Sequence, residues 1–239
     1  MRLPFAIAAA LMLACAPLSA ASERVDALLE TGMDAQAFAA AQDGAAAGDA
    51  ELTGYLGWFY DNGRHVARDR ARAAQLFRQA ADGGDAYSQW RLAVMIDEGL
   101  APGTLGEAVA LFRRSAAQKN SDGMVGLAVM HATGRGVARD FDATMRYYQA
   151  AARMGNAHGL QGIGVLYANG EGVAQDLGEA VAFWLVASAA GDESSDELLA
   201  EFMPRIDGAA ADTLLARADA IARSYNIGAR FEVTAGSGI

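Results

Sequence analysis

Cysteine is all but missing from the sequence: Cys15 is the one thiol among 239 residues. It falls inside the N-terminal apolar segment, so a chain trimmed beyond it has neither a disulfide framework nor thiol chemistry. Basic charge is also short. Nineteen lysines and arginines face 29 aspartates and glutamates, for a formal net charge of −10. That balance argues against nucleic acid as a partner, because such binding needs basic patches to displace counterions from phosphates. Histidine occurs three times, at His65, His131 and His158, where a zinc site wants three or four converging ligands. No strand-forming stretch rivals the helical segments in length, and no apolar run is long enough for a membrane span.

The N-terminus reads as an export signal. Arg2 supplies a positive start, Phe5 to Leu13 an apolar centre, and Ser19-Ala20-Ala21 the small residues suited to cleavage after Ala21. Residues 1–21 are therefore expected to be a signal peptide and the mature protein to be periplasmic or secreted, with its formal charge at −11 once Arg2 is gone. A second reading makes Cys15 a lipid-modified N-terminus after Met12-Leu13-Ala14, with Leu13 bulky where a small residue is usual.

What the chain has in place of these features is repetition. Gly134-Arg135-Gly136-Val137-Ala138-Arg139-Asp140 returns 36 residues later as Gly170-Glu171-Gly172-Val173-Ala174-Gln175-Asp176. A third copy, Gly63-Arg64-His65-Val66-Ala67-Arg68-Asp69, lies 71 residues upstream of the first. A period in this range is the mark of stacked supersecondary units. Four units align on Phe77, Phe112, Tyr148 and Trp184, and the second has a shortened loop, Leu100-Ala101-Pro102-Gly103-Thr104, after Gly99.

Each unit predicts two helices. In the front one, Leu56, Leu92, Leu127 or Ile163 is followed by Gly57, Ala93, Ala128 or Gly164, then by Tyr60, Ile96, His131 or Tyr167. The i, i+4 spacing puts the large residues on one face, and the small residue between them is expected to let a neighbouring backbone approach. The back helix opens at Asp69, Asp140 or Asp176, whose carboxylates suit the free amides of a first turn. Unit two has Thr104 there with Glu107 three residues on, a capping-box pattern. The loop glycines Gly63, Gly99, Gly134, Gly136, Gly170 and Gly172 stop the front helix and permit positive φ in the turn. Residues 22–47 are expected to form N-terminal capping helices broken at Thr31-Gly32, and 48–192 the four repeats. Residues 193–226 are expected to form C-terminal capping helices interrupted at Pro204, and 227–239 a flexible tail.

The pattern Leu/Ile-Gly-x-x-Tyr-x-x-Gly-x-Gly-Val-x-x-Asp, then an aromatic and a closing Gly-Asn/Asp-Ala, resembles the Sel-one-like repeat, a relative of the tetratricopeptide repeat. Unit four carries it most fully, from Ile163 through Gly172 and Trp184 to Gly191-Asp192. The resemblance implies an all-α fold, a right-handed α-solenoid of antiparallel helix pairs whose first helices line a concave surface. It also implies a role as a scaffold or adaptor for another protein or peptide. Two departures stand out: His65 replaces the second loop glycine in unit one, and unit two lacks the Gly-x-Gly-Val loop. A cysteine-rich branch of the family, penicillin-binding or weakly lactamase-like, implies the alternative of a cell-wall-directed hydrolase or binding protein. The repeats here hold no cysteine.

Readings of catalytic chemistry do not assemble. Gly159-Leu160-Gln161-Gly162-Ile163-Gly164 occupies repeat positions, without the preceding strand that a phosphate loop requires. No serine, histidine and acid share matching repeat positions, and His158 shares a helix face with nothing ligand-like. No catalytic residue, metal or cofactor is therefore assigned. The surplus is aromatic and apolar: Tyr55 and Trp58, Tyr87, Trp90 and Val94, and Val129 fall off the inner stripe of their helices. They either pack between repeats or form a partner-binding groove, aromatics being enriched at interface hot spots.

Overall fold

The computed structural model describes residues 18–206 and 211–228. Their regular structure is helical throughout, and the order is α1 (Leu18–Glu30), α2 (Asp34–Ala46), α3 (Ala50–Asn62), α4 (Arg70–Asp82), α5 (Ala86–Asp97) and α6 (Leu105–Ala117). There follow α7 (Ser121–Thr133), α8 (Phe141–Arg153), α9 (Ala157–Asn169), α10 (Leu177–Ala189), α11 (Glu193–Phe202) and α12 (Ala211–Ser224), with a 3₁₀ turn at Met203–Arg205. The fold is an all-α repeat solenoid, in which α3/α4, α7/α8 and α9/α10 pack as pairs matching the first, third and fourth sequence units, and α5 and α6 carry the second. The apolar centre of the expected signal segment, and Cys15 with it, lie outside the described residues, as do 229–239 of the expected tail. Helix α1 begins upstream of Ala21 and runs through it.

The turn and cap residues take the geometry their chemistry predicts. Gly63, Gly134 and Gly170 end α3, α7 and α9 in the left-handed region, and His65 adopts φ of 64° where the other loops have Gly136 and Gly172. The side chains of Asp69, Asp140 and Asp176 accept from the amides of Arg72, Ala143 and Glu179 at 2.8–2.9 Å. Thr104 accepts from the Glu107 amide at 3.2 Å. Each Gly-x-Gly-type loop closes with the same bond: the Asp69, Asp140 and Asp176 amides donate to the carbonyls of Tyr60, His131 and Tyr167. The closing Gly-Asn/Asp-Ala of a unit proves to be the start of the next. Asp49, Asp85, Asn120 and Asn156 cap α3, α5, α7 and α9 through the amides three residues on.

The small residues of the front helices correct one expectation. What approaches them is chiefly the aromatic ring of a back helix, not a bare backbone. A Cβ on Gly57 would stand 2.9 Å from the Phe77 ring, and one on Gly164 would stand 2.4 Å from Trp184 Nε1. Gly126 and Gly162 face the rings of the preceding repeat, Phe112 and Tyr148, in the same way. Trp184 is only 1% exposed, and its indole N–H donates to the Gln161 carbonyl.

The chain divides into two compact units, 1–102 and 103–239. The division falls in the loop that lacks the Gly-x-Gly-Val sequence. In the first unit Val25, Phe38, Leu52, Leu56, Phe59 and Leu76 form a core joining α1 and α2 to the first repeat. In the second, Leu160, Ile163, Leu166, Phe183 and Trp184 form a core with Leu214, Ala218 and Ile221 of α12.

Gly164→Ala is expected to destabilise the protein by about 1–3 kcal/mol through overpacking against Trp184. Repeat three carries Ala128 at this position with the smaller Tyr148. Combining Gly164→Ala with Trp184→Phe is therefore expected to cost less than the sum of the single substitutions in urea unfolding.

Candidate partner-binding site

Glu51, Tyr55 and Trp58 are spaced i, i+4 and i+7, so they form one stripe along α3. Helix α1 flanks the stripe with Asp26 and Leu29, and α5 with Asp85 and Tyr87. Together these seven residues line a cavity of about 340 Å³, toward the small end of the range for ligand pockets. Its polar groups are acidic and its rings belong to α3 and α5. The Tyr55 hydroxyl donates to Asp26 Oδ1 at 2.6 Å, which ties α3 to α1. Burial, together with the acceptor Asp26, raises the Tyr55 pKa.

The carboxylates of Glu51 and Asp85 are both held above their ordinary range, burial being the larger cause. A Ser22 hydrogen bond partly offsets the shift for Glu51, and hydrogen bonds from Ser88 do so for Asp85. Negative neighbours add to it: Asp85, Asp49 and Asp26 around Glu51, and Asp49 near Asp85. Among the described residues none of Asp26, Glu51 and Asp85 forms an ion pair with a cation. Arg64 stands with its guanidinium carbon 5.6 Å from the Trp58 ring centroid, but it is bound to Asp34 and to the Leu29 carbonyl.

Of the sequence-derived residues, Tyr55, Trp58 and Tyr87 meet at this cavity. Trp90 stands next to it, its ring 5.4 Å from that of Tyr87 and covered by the Arg91 guanidinium at 5.2 Å. Val94 is half-buried one turn further along α5 and does not line the cavity. Val129 belongs to the second compact unit, where it packs with Val125 and Val165 against the core. The four residues the sequence reading missed are Asp26, Leu29, Glu51 and Asp85. Glu51 was within reach of helical spacing from Tyr55, and Asp85 was visible only as a repeat motif.

A second polar cluster surrounds Asp192, 2% exposed at the start of α11. His158, which shares its own helix face with nothing ligand-like, lies 3.0 Å from Asp192 Oδ1, because the cap of one front helix abuts the first turn of the preceding one. Ser194 and Ser195 donate to the same carboxylate. The serine protons go to the aspartate, so no serine is activated by the histidine in the manner of a nucleophilic triad. Among the described residues no group of three or more His, Cys, Asp or Glu is placed to hold a metal. No helix among them is long and apolar enough to cross a membrane. The Gly159 to Gly164 cluster lies inside α9, and its glycines face Tyr148, Ala152 and Trp184.

A family model described as "Sel1 repeat" matches residues 55–85, 86–120, 121–156 and 157–192. A Sel1 repeat protein from Oxalobacter formigenes has a similar structure, at 25% identity over 84% of each chain, with a TM-score of 0.66. A protective antigen of uropathogenic Escherichia coli with an SLR fold is 21% identical over 93% of this chain and 51% of its own, with a TM-score of 0.76. The immunity protein Pa5087 of Pseudomonas aeruginosa, 15% identical with a TM-score of 0.54, shares the fold over 90% of this chain and 84% of its own. No curated protein sequence matches the chain.

Two helix-capping aspartates are expected to respond oppositely to Asp→Asn, since Asn caps as well as Asp. Asp176 is held below its ordinary pKa, chiefly by the Glu179 amide and also by Arg217. Its ionised form therefore stabilises the fold at neutral pH, and that contribution is lost as pH falls through the folded-state value. Asp85 is held above its ordinary value, so its ionisation disfavours the fold progressively as pH rises through the window between its unfolded and folded values. At pH 7, urea unfolding is expected to show Asp176→Asn less stable than the parent and Asp85→Asn at least as stable. The Asp85→Asn advantage is expected to vanish at low pH.

Proposed function

The chain belongs to the Sel1 repeat family, whose repeats generally mediate protein–protein interaction, and from that premise we propose that it is an exported scaffold for a protein or peptide partner. One observation supports placing the partner on the first compact unit. Tyr55, Trp58 and Tyr87, from two successive front helices, stand half-buried around one cavity that no side chain of the described residues fills. Large aromatics of this kind cost little conformational entropy to immobilise and dominate the energetics of interfaces. On this reading the repeats hold the front helices side by side, and Trp90 extends the aromatic strip from Tyr87.

Export rests on the N-terminal sequence pattern, and it puts the protein in the bacterial envelope or outside it, in association with an envelope or signalling complex. Intact mass spectrometry of protein from the periplasmic fraction is expected to match a chain starting at Ser22. A mass carrying acyl chains on Cys15 would replace this with the anchored form.

Crosslinking in native envelopes, followed by affinity capture, tests the site. Trp58→Ala with Tyr87→Ala is expected to reduce the specifically crosslinked partner at least about tenfold, with the helical circular dichroism signal unchanged. If the double variant loses helix content, Tyr87→Ser alone carries the test. Full capture by a folded variant would remove the cavity from the interaction.

A further inference from the structure

The cavity specifies the chemistry of what enters it. It combines three features that point the same way: a partly open cavity of about 340 Å³, three aromatic side chains, and a polar lining made of carboxylates and tyrosine hydroxyls without a cation. Aromatic faces attract cations through the ring quadrupole, most strongly where water is excluded. Carboxylates that are partly desolvated and surrounded by their own kind lower their energy by acquiring a positive neighbour. Glu51 and Asp85 are held above their ordinary pKa range chiefly by burial, with acidic neighbours adding to it.

Resting on the protein-scaffold reading above, we infer that the cavity lined by Asp26, Glu51, Tyr55, Trp58, Asp85 and Tyr87 receives an arginine or lysine side chain of the partner. The stem of such a side chain lies against the rings and its head meets the carboxylates, which suits a lining made of both. The nearby arginine does not serve as that cation. Arg64 is held by Asp34 at 2.6 Å, and its contact is with the Trp58 ring and not with the cavity carboxylates. Cleavage after Ala21 places the Ser22 ammonium on the residue that already hydrogen-bonds Glu51. That ammonium competes with the partner's cation for the carboxylates, which is why its acetylation is one arm of the test.

The test uses the mature chain from Ser22 and capped Gly-Gly-X-Gly-Gly peptides in which X is arginine, lysine, citrulline or glutamate, titrated while the Trp58 indole resonance is followed by NMR. The arginine and lysine peptides are expected to shift it, with an affinity that weakens as salt is raised. Citrulline, which keeps the shape without the charge, is expected to bind about tenfold more weakly. Asp26→Asn with Asp85→Asn is expected to remove the preference for charge while the fold persists, since Asn retains the α5 cap. Equal binding of the arginine and citrulline peptides, or no shift at millimolar peptide, would overturn the inference. So would binding that appears only after the Ser22 amine is acetylated, because the chain's own terminus would then be the occupant. Envelope capture that is lost in Trp58→Ala but survives in Asp26→Asn/Asp85→Asn would sink the cationic side chain and leave the scaffold reading standing.

Discussion

The architecture depends on aromatic rings seated where the front helices have no side chain. Phe77 against Gly57 and Trp184 against Gly164 join the two helices of one repeat, while Phe112 against Gly126 and Tyr148 against Gly162 join successive repeats. At these distances a methyl group cannot be added without displacing a ring. The pairing therefore sets both how closely the helices of a repeat approach and how closely successive repeats stack within each unit. The geometry of the cavity follows from it. Tyr55 and Tyr87 come from different helices, and the Phe77 ring of α4 lies against both Gly57 of α3 and the Tyr87 ring of α5.

Where a feature is written once per repeat, the sequence reading located it. The helix pairs, the αL glycines, the capping aspartates and the Thr104 substitute for one of them all recur at a fixed interval, so each copy corroborates the others. The division into two compact units was not expected, since 48–192 reads as one run of four repeats; it falls at the loop without Gly-x-Gly-Val. The Gly-Asn/Asp-Ala triplets were seen as closing motifs, but their capping of the next helix became plain only from the bonds they make.

The site was legible by halves. Tyr55, Trp58 and Tyr87 stood out because they lie off the inner stripe of their helices. Asp26 gave no comparable signal, since α1 precedes the repeats and no periodic position points to a residue 29 places upstream of Tyr55. His158 and Asp192 went unpaired for a related reason. Their contact joins one front helix to the cap of the next, whereas helical spacing compares residues only within a helix. For Val129 the structure matches the other reading the sequence left open, packing between helices, here with Val125 and Val165 in the second unit.

The caps of the front helices carry one more consequence. Asp49, Asp85, Asn120 and Asn156 perform the same structural task with the same bond, yet the first two bring a negative charge and the last two do not. The position therefore separates architecture from electrostatics, because either residue starts the helix and only one alters the field around it. A single-base exchange between Asp and Asn codons can rewrite the surface potential beside the groove while the scaffold stays as it was. Recognition in such an array can drift repeat by repeat without putting folding at risk.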